Sequence, residues 1–110
     1  MYKISQLEEL LKNNKLDEQF SKIYGADDNT IKEAYIRLTS ALNHFKNIDN
    51  TQDIHVFSAS GRTELSGNHT DHNNGCVLTA SINLDKLAVV SKRNDEKIVI
   101  YTDYSDNPNY

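Results

Sequence analysis

Between Ile31 and Ile48 the apolar residues recur at helical spacing: Ile31, Ala34, Tyr35, Leu38, Ala41, Leu42, Phe45 and Ile48. That pattern predicts a helix of about five turns with one buried stripe. Residues 47–53 are polar, and beyond them the period shortens to two. Ile54 and Val56 then face one way and Phe57 the other, as in a half-buried strand. Helices first and antiparallel-looking strands afterwards define an α+β chain. At 110 residues the chain can close one core of modest size.

Two shorter helices precede the long one. Ser5 and Glu8 have capping-box spacing, and Ile4, Leu7, Leu10 and Leu11 share a face, predicting a helix to about Asn13. Leu16, Phe20, Ile23 and Tyr24 form the next stripe, with Asp17 and Glu18 in its first turn and Gly25 as its stop. Caps for the long helix are offered by residues 28–30. His44 lies beside the apolar stripe and reads as a surface or half-buried side chain, so nothing in the helical part carries chemistry. After residue 58, strands are expected at 77–82 and 87–91, with 98–102 following the turn at Asn94, Asp95 and Glu96 to close a hairpin. Residues 101–110 read as a polar tail.

Charge and cysteine usage narrow the function classes. Twelve Lys and Arg against 16 Asp and Glu give a net charge of −4, the wrong sign for a nucleic-acid or anionic-membrane surface. No apolar run approaches the roughly 20 residues of a membrane span, and the first residues lack the apolar core of a signal peptide. The lone Cys76 cannot form an internal disulfide, which fits a reducing compartment and makes the cytoplasm the expected location. Asn68-His69-Thr70 spells a glycosylation acceptor, read as coincidence in that setting.

The chemistry is concentrated in residues 59–78, ASGRTELSGNHTDHNNGCVL, which hold three of the four glycines, two of the four histidines and the cysteine. As a connection between strands this stretch is long, and long loops in small domains are commonly functional. Three readings compete for Arg62, Glu64, Asn68, His69, Asp71 and His72. A sugar, whose hydroxyls each donate and accept, suits carboxylates, an amide and an imidazole set together, with Gly61, Gly67 and Gly75 allowing close backbone approach. Metal ligation by His69, Asp71 and His72 is the weaker reading, because the spacing matches no familiar zinc motif. A polar turn whose side chains cap their own backbone is the third.

Within this stretch, residues 61–78 resemble the galactose-binding signature of the galactokinases, members of the GHMP small-molecule kinases, G-R-x-N-L-I-G-E-H-x-D-Y-N-x-G-x-V-L. Gly61, Arg62, Leu65, Gly67, His69, Asp71, Asn73, Gly75, Val77 and Leu78 match it. Glu64, Ser66, Asn68 and His72 depart from it. The run T-E-L-x-G-N-H-T-D-H is similar to a bacterial branch with a helical N-terminal extension.

The resemblance implies three N-terminal helices followed by an incomplete, mainly antiparallel sheet of the GHMP N-domain. Residues 1–50 would then be the extension, and 51–110 the truncated start of the galactose-binding domain. It implies that Asn68, His69, Thr70 and Asp71 line a galactose pocket; where Asn68 replaces a carboxylate, Glu64 is expected to supply the charge or to support the loop from behind. Arg62 would be the catalytic residue of this set, beside the reacting hydroxyl. It also implies ATP and Mg²⁺ as cofactors of the longer enzyme. No Gly/Ser-rich phosphate loop or catalytic Asp has a counterpart here, so these residues alone are expected to bind no nucleotide and to phosphorylate nothing. A non-catalytic sugar-sensing or interaction module is the alternative. Unpaired sheet edges would favour self-association.

Overall fold

A computed structural model describes residues 2–49, 53–67, 70–102 and 105–109, with side chains for all of these except Asp71 and 105–109. The two-residue strand β1 (Tyr2–Lys3) leads into helices α1 (Ile4–Lys12), α2 (Asp17–Tyr24) and α3 (Asp28–Ile48). Two long strands follow, β2 (Asp53–Ser66) and β3 (Leu78–Ser91), and then the short β4 (Ile100–Thr102) and β5 (Ser105–Asn109). The expected α+β order, three helices and then antiparallel strands, is the observed one.

Several local expectations shift, each for a physical reason. The first helix starts two residues earlier than Ser5 suggests. Lys3 occupies the N-cap and the Gln6 side chain accepts from its amide at 3.0 Å, because a lysine has no acceptor of its own to return. At α3 the cap is Asp27, not residues 28–30: its carboxylate accepts from the Thr30 amide at 2.9 Å and the Thr30 hydroxyl at 3.0 Å. These bonds hold the Asp27 carboxyl below its ordinary range. Gly25 ends α2 at φ 93°, where a side chain would be strained.

One core joins the helices to the sheet. Ile4, Leu7 and Leu11 of α1, Leu16 and Phe20 at α2, Ala34, Leu38 and Leu42 of α3, and Ile54 of β2 are all buried. Leu42 and Ile54 are the most enclosed, at 1% and 0% exposure. Each such side chain contributes about 1.5–3 kcal/mol relative to exposure. Phe20 meets Tyr35 edge-on with ring centroids 4.8 Å apart. The Tyr35 hydroxyl donates to Asp17 at 2.7 Å and accepts from the Leu16 amide at 2.8 Å, so α3 also pins the start of α2. Glu8 and Lys46 form an ion pair between α1 and α3 that lowers the Glu8 pKa. Two stripe members, Ile23 and Ile48, are exposed instead, since the sheet covers only part of the helical layer.

The sheet differs most from expectation. Strands β2 and β3 pair antiparallel along their whole length, from Ile54 opposite Ser91 to Ser66 opposite Leu78, and β1 pairs with the start of β2. The segments expected at 77–82 and 87–91 are one strand, and the hairpin expected between 87–91 and 98–102 does not form. Instead β4 pairs with β5, so part of the predicted tail is strand. Residues 59–66, read as loop, belong to β2, and the connection shrinks to residues 67–77. Short polar side chains concealed the strand because backbone pairing, not apolar alternation, sustains it. At about 3.3 Å per residue the ribbon runs roughly 45 Å, and the helices cover only its base. Beyond that base Leu65 and Leu78 are exposed, as are Phe57 and Val90 on the face turned from the helices.

Candidate functional site

The signature occupies the far end of this ribbon. Gly61 lies where the register shifts: Ser60 pairs with Asp85 and Arg62 with Ser81, so one residue on β2 faces three on β3. Such a bulge bends the strand and re-aims the side chains beyond it. A Cβ at position 61 would sit 3.0 Å from two carbons of the Ile82 side chain and 3.1 Å from the Leu84 carbonyl oxygen. An alanine there would require the Ile82 side chain and the Leu84 carbonyl to give by a few tenths of an ångström. Arg62 and Glu64 come next in regular pairing, opposite Ser81 and Thr79, and therefore share one face of the ribbon. A second shift between Glu64 and Ser66 ends the strand.

The connection then closes on itself. Gly67 adopts φ 115°, and a Cβ there would come within 2.8 Å of Cys76 and Val77, so the two ends of the loop touch. Residues Thr70–Asn73 form a 3-10 turn. Thr70 holds the loop from inside: its amide donates to the Gly67 carbonyl at 3.1 Å, its carbonyl accepts from the Gly75 amide at 2.8 Å, and its hydroxyl donates to the Cys76 carbonyl at 3.3 Å. Asn74 takes a positive φ of 61°, a conformation asparagine tolerates. The glycines expected to admit a ligand are thus required first by contact of the chain with itself.

Of the residues singled out from sequence, Arg62 and Glu64 stand together on the ribbon end and Thr70 within the loop. Asp71 has its backbone in the 3-10 turn. Asn68 and His69 lie outside the described residues. Among the described residues no group of three or more His, Cys, Asp or Glu side chains could hold a metal ion. No helix among them is long and apolar enough to cross a membrane.

Another polar cluster was not anticipated. At the base of the bulge Asp85, whose side chain is only 8% exposed, accepts from the Ser58 hydroxyl at 2.6 Å and the Tyr24 hydroxyl at 2.8 Å. Its other carboxylate oxygen meets Arg37 at 2.5 Å. Burial pushes this carboxyl upward, but the bonds from Ser58, Tyr24 and Arg37 together outweigh burial and leave its pKa below the ordinary value. Burial raises the Tyr24 phenol. These groups line a cleft of about 130 Å³ between α2, α3 and the ribbon, which includes neither Arg62, Glu64 nor Thr70. Its sequence signal was a lone carboxylate inside a strand that is otherwise apolar on the inward side.

Residues 43–92 match the galactokinase galactose-binding signature. Over these residues the chain resembles the galactokinases. The matched span runs from the last turns of α3 through both long strands, so the ribbon and its loop carry that signature. The chain is 45% identical over 65 residues to a galactokinase of Staphylococcus carnosus, covering 59% of this chain and 17% of that one. It is 38% identical over 63 residues to a galactokinase of Clostridium acetobutylicum, covering 57% and 16%. With a galactokinase of Enterococcus faecalis the identity is 39% over 62 residues, covering 56% and 16%. The chain thus spans about a sixth of the length of these galactokinases. No solved structure matches it significantly.

Proposed function

We propose that this segment recognises galactose for a galactokinase, an enzyme that phosphorylates the sugar at its anomeric hydroxyl using ATP. The observation that carries this reading is the signature match over residues 43–92, which falls on the ribbon carrying Arg62 and Glu64 on one face. Asn68, His69, Thr70 and Asp71 form the sugar-facing set, with Asp71 accepting from ring hydroxyls. Glu64, on the same face as Arg62, provides the carboxylate that Asn68 lacks. Arg62 stands beside the reacting hydroxyl, where a fixed guanidinium stabilises charge that develops during phosphoryl transfer.

The start of α3 is not a phosphate site in this reading. Helix α3 begins at Asp28, with Asp27 as its N-cap, and Asp27 already occupies the Thr30 amide. Negative charge at a helix N-terminus opposes phosphate there. In this proposal ATP and Mg²⁺ belong to the longer enzyme, and this segment serves the sugar. The expected location is the cytoplasm, where galactose and ATP meet.

Calorimetry with galactose and glucose tests the reading. Galactose heat that glucose does not reproduce, and that Asp71→Ala abolishes, supports it. Equal heats for both sugars, or unchanged heat in Asp71→Ala, would refute the assigned site. ATP-dependent turnover of galactose by the 110-residue chain would refute the division of labour.

A further inference from the structure

The cluster around Asp85 joins the middle of the ribbon to α2 and α3, away from the apolar core at its base. Asp85 lies inside the matched signature span, whereas Tyr24 and Arg37 lie before it in the chain. Its place in the register is specific. Ser60 opposite Asp85 is the last regular pair before the bulge, and Arg62 opposite Ser81 is the first pair after it. Whatever fixes Asp85 therefore fixes one end of the bulge that aims the distal ribbon.

Asp85 is held from three elements at once. Ser58 of β2 and Tyr24 of α2 share one carboxylate oxygen, and Arg37 of α3 takes the other at 2.5 Å. Arg37 also donates to the Asp85 backbone carbonyl at 3.4 Å. Gly61 is threaded beneath Ile82 and Leu84, so rotation of the bulge is transmitted directly to the strand carrying Arg62. Charge-assisted bonds to a buried carboxylate are short and directional, which suits them to holding an angle and not merely a contact.

We infer that Asp85 is a positioning residue: through Tyr24, Ser58 and Arg37 it sets the direction of the distal ribbon, residues 61–66 and 78–81, and so the placement of the sugar-recognising loop. Helices α2 and α3 act as the frame against which the site is aimed. The link to the sugar rests on the proposed galactose recognition, whereas the aiming itself can be measured without any ligand.

The test is nuclear magnetic resonance on the isotope-labelled 110-residue chain, weakly aligned, reading amide residual dipolar couplings along the ribbon. In Asp85→Asn the couplings of residues 62–66 and 79–81 are expected to fall to about half or less, while those of 54–58 and 87–90 stay at wild-type values. Arg37→Gln should act in the same direction, and Arg37→Lys, which keeps the ion pair, should restore wild-type couplings. Arg37 is 44% exposed at its side chain, so its variants decide the matter even if Asp85→Asn does not fold. Unchanged distal couplings in Arg37→Gln overturn the inference, as does an equal fall at both ends of the ribbon. A galactose titration of the same samples separates the two ideas. Absent binding in the wild type sinks the sugar reading alone, and weakened binding that tracks the distal couplings ties the frame to the site.

Discussion

Replacing Gly75 by alanine is expected to open the 67–77 loop while leaving the domain folded. The added Cβ would lie 2.6 Å from Thr70 Cβ, 2.7 Å from its Oγ1 and 2.8 Å from its carbonyl oxygen. Carbon atoms pack at about 3.5–4.0 Å, so the chain must separate by roughly 1 Å, and none of the atoms met is a flexible tip that can swing aside. The separation breaks the bond from the Gly75 amide to the Thr70 carbonyl, worth about 1 kcal/mol. Overpacking adds about 1–3 kcal/mol. A total of about 2–4 kcal/mol lowers the closed population by roughly 30- to 700-fold. Amide hydrogen exchange at position 75, corrected for the intrinsic rate, reads this directly. The urea midpoint should barely move, because the loop lies outside the core. Gly25→Ala is the contrast: no atom lies within 4 Å of a Cβ there, so only the positive φ is strained and the loop is untouched. Wild-type protection at position 75 in Gly75→Ala would refute the close-packed loop.

Leu42→Ala, at a site 1% exposed, should cost about 2.7–5 kcal/mol; circular dichroism during urea titration should show most of the domain's stability gone. Because the Asp85 carboxyl is depressed below its usual value, its contribution is complete above the unfolded value near 3.8 and is lost as pH falls through the folded one. Urea midpoints should therefore fall below about pH 4, and the gap between wild type and Asp85→Asn should narrow over that window; a constant gap would contradict the sign. Phe57→Ser, on the exposed sheet face, should change stability by less than about 1 kcal/mol and reduce any self-association seen by sedimentation. Cys76 is exposed, so thiol reagents should react with it in the folded chain within a few-fold of the unfolded rate, slowed by saturating galactose if the loop holds the sugar.

Where the sequence was legible, one residue's neighbours along the chain were enough. The stripe Ala34, Leu38 and Leu42 announces its own helix, Gly25 its stop, and the change of period after residue 48 the change of class. The signature glycines and Arg62 were visible for the same reason, as residue types at fixed spacing. The β2–β3 ribbon was not, because the pairing of Arg62 with Ser81 or Glu64 with Thr79 rests on backbone groups that every residue possesses. Short polar side chains therefore read as loop although the backbone there is strand.

Tertiary structure alone decided three things. It showed that the Cβ space at Gly61, Gly67 and Gly75 is taken by the chain itself, a matter of distance between segments and not of residue type. It placed Asp85 against Tyr24 and Arg37, residues 61 and 48 positions away along the chain. It also sited the apolar junction at Ile54, where β1, β3 and the helices converge. Local order is written in short-range periodicity and capping, whereas the aim of the site depends on pairings that form only when distant segments fold together.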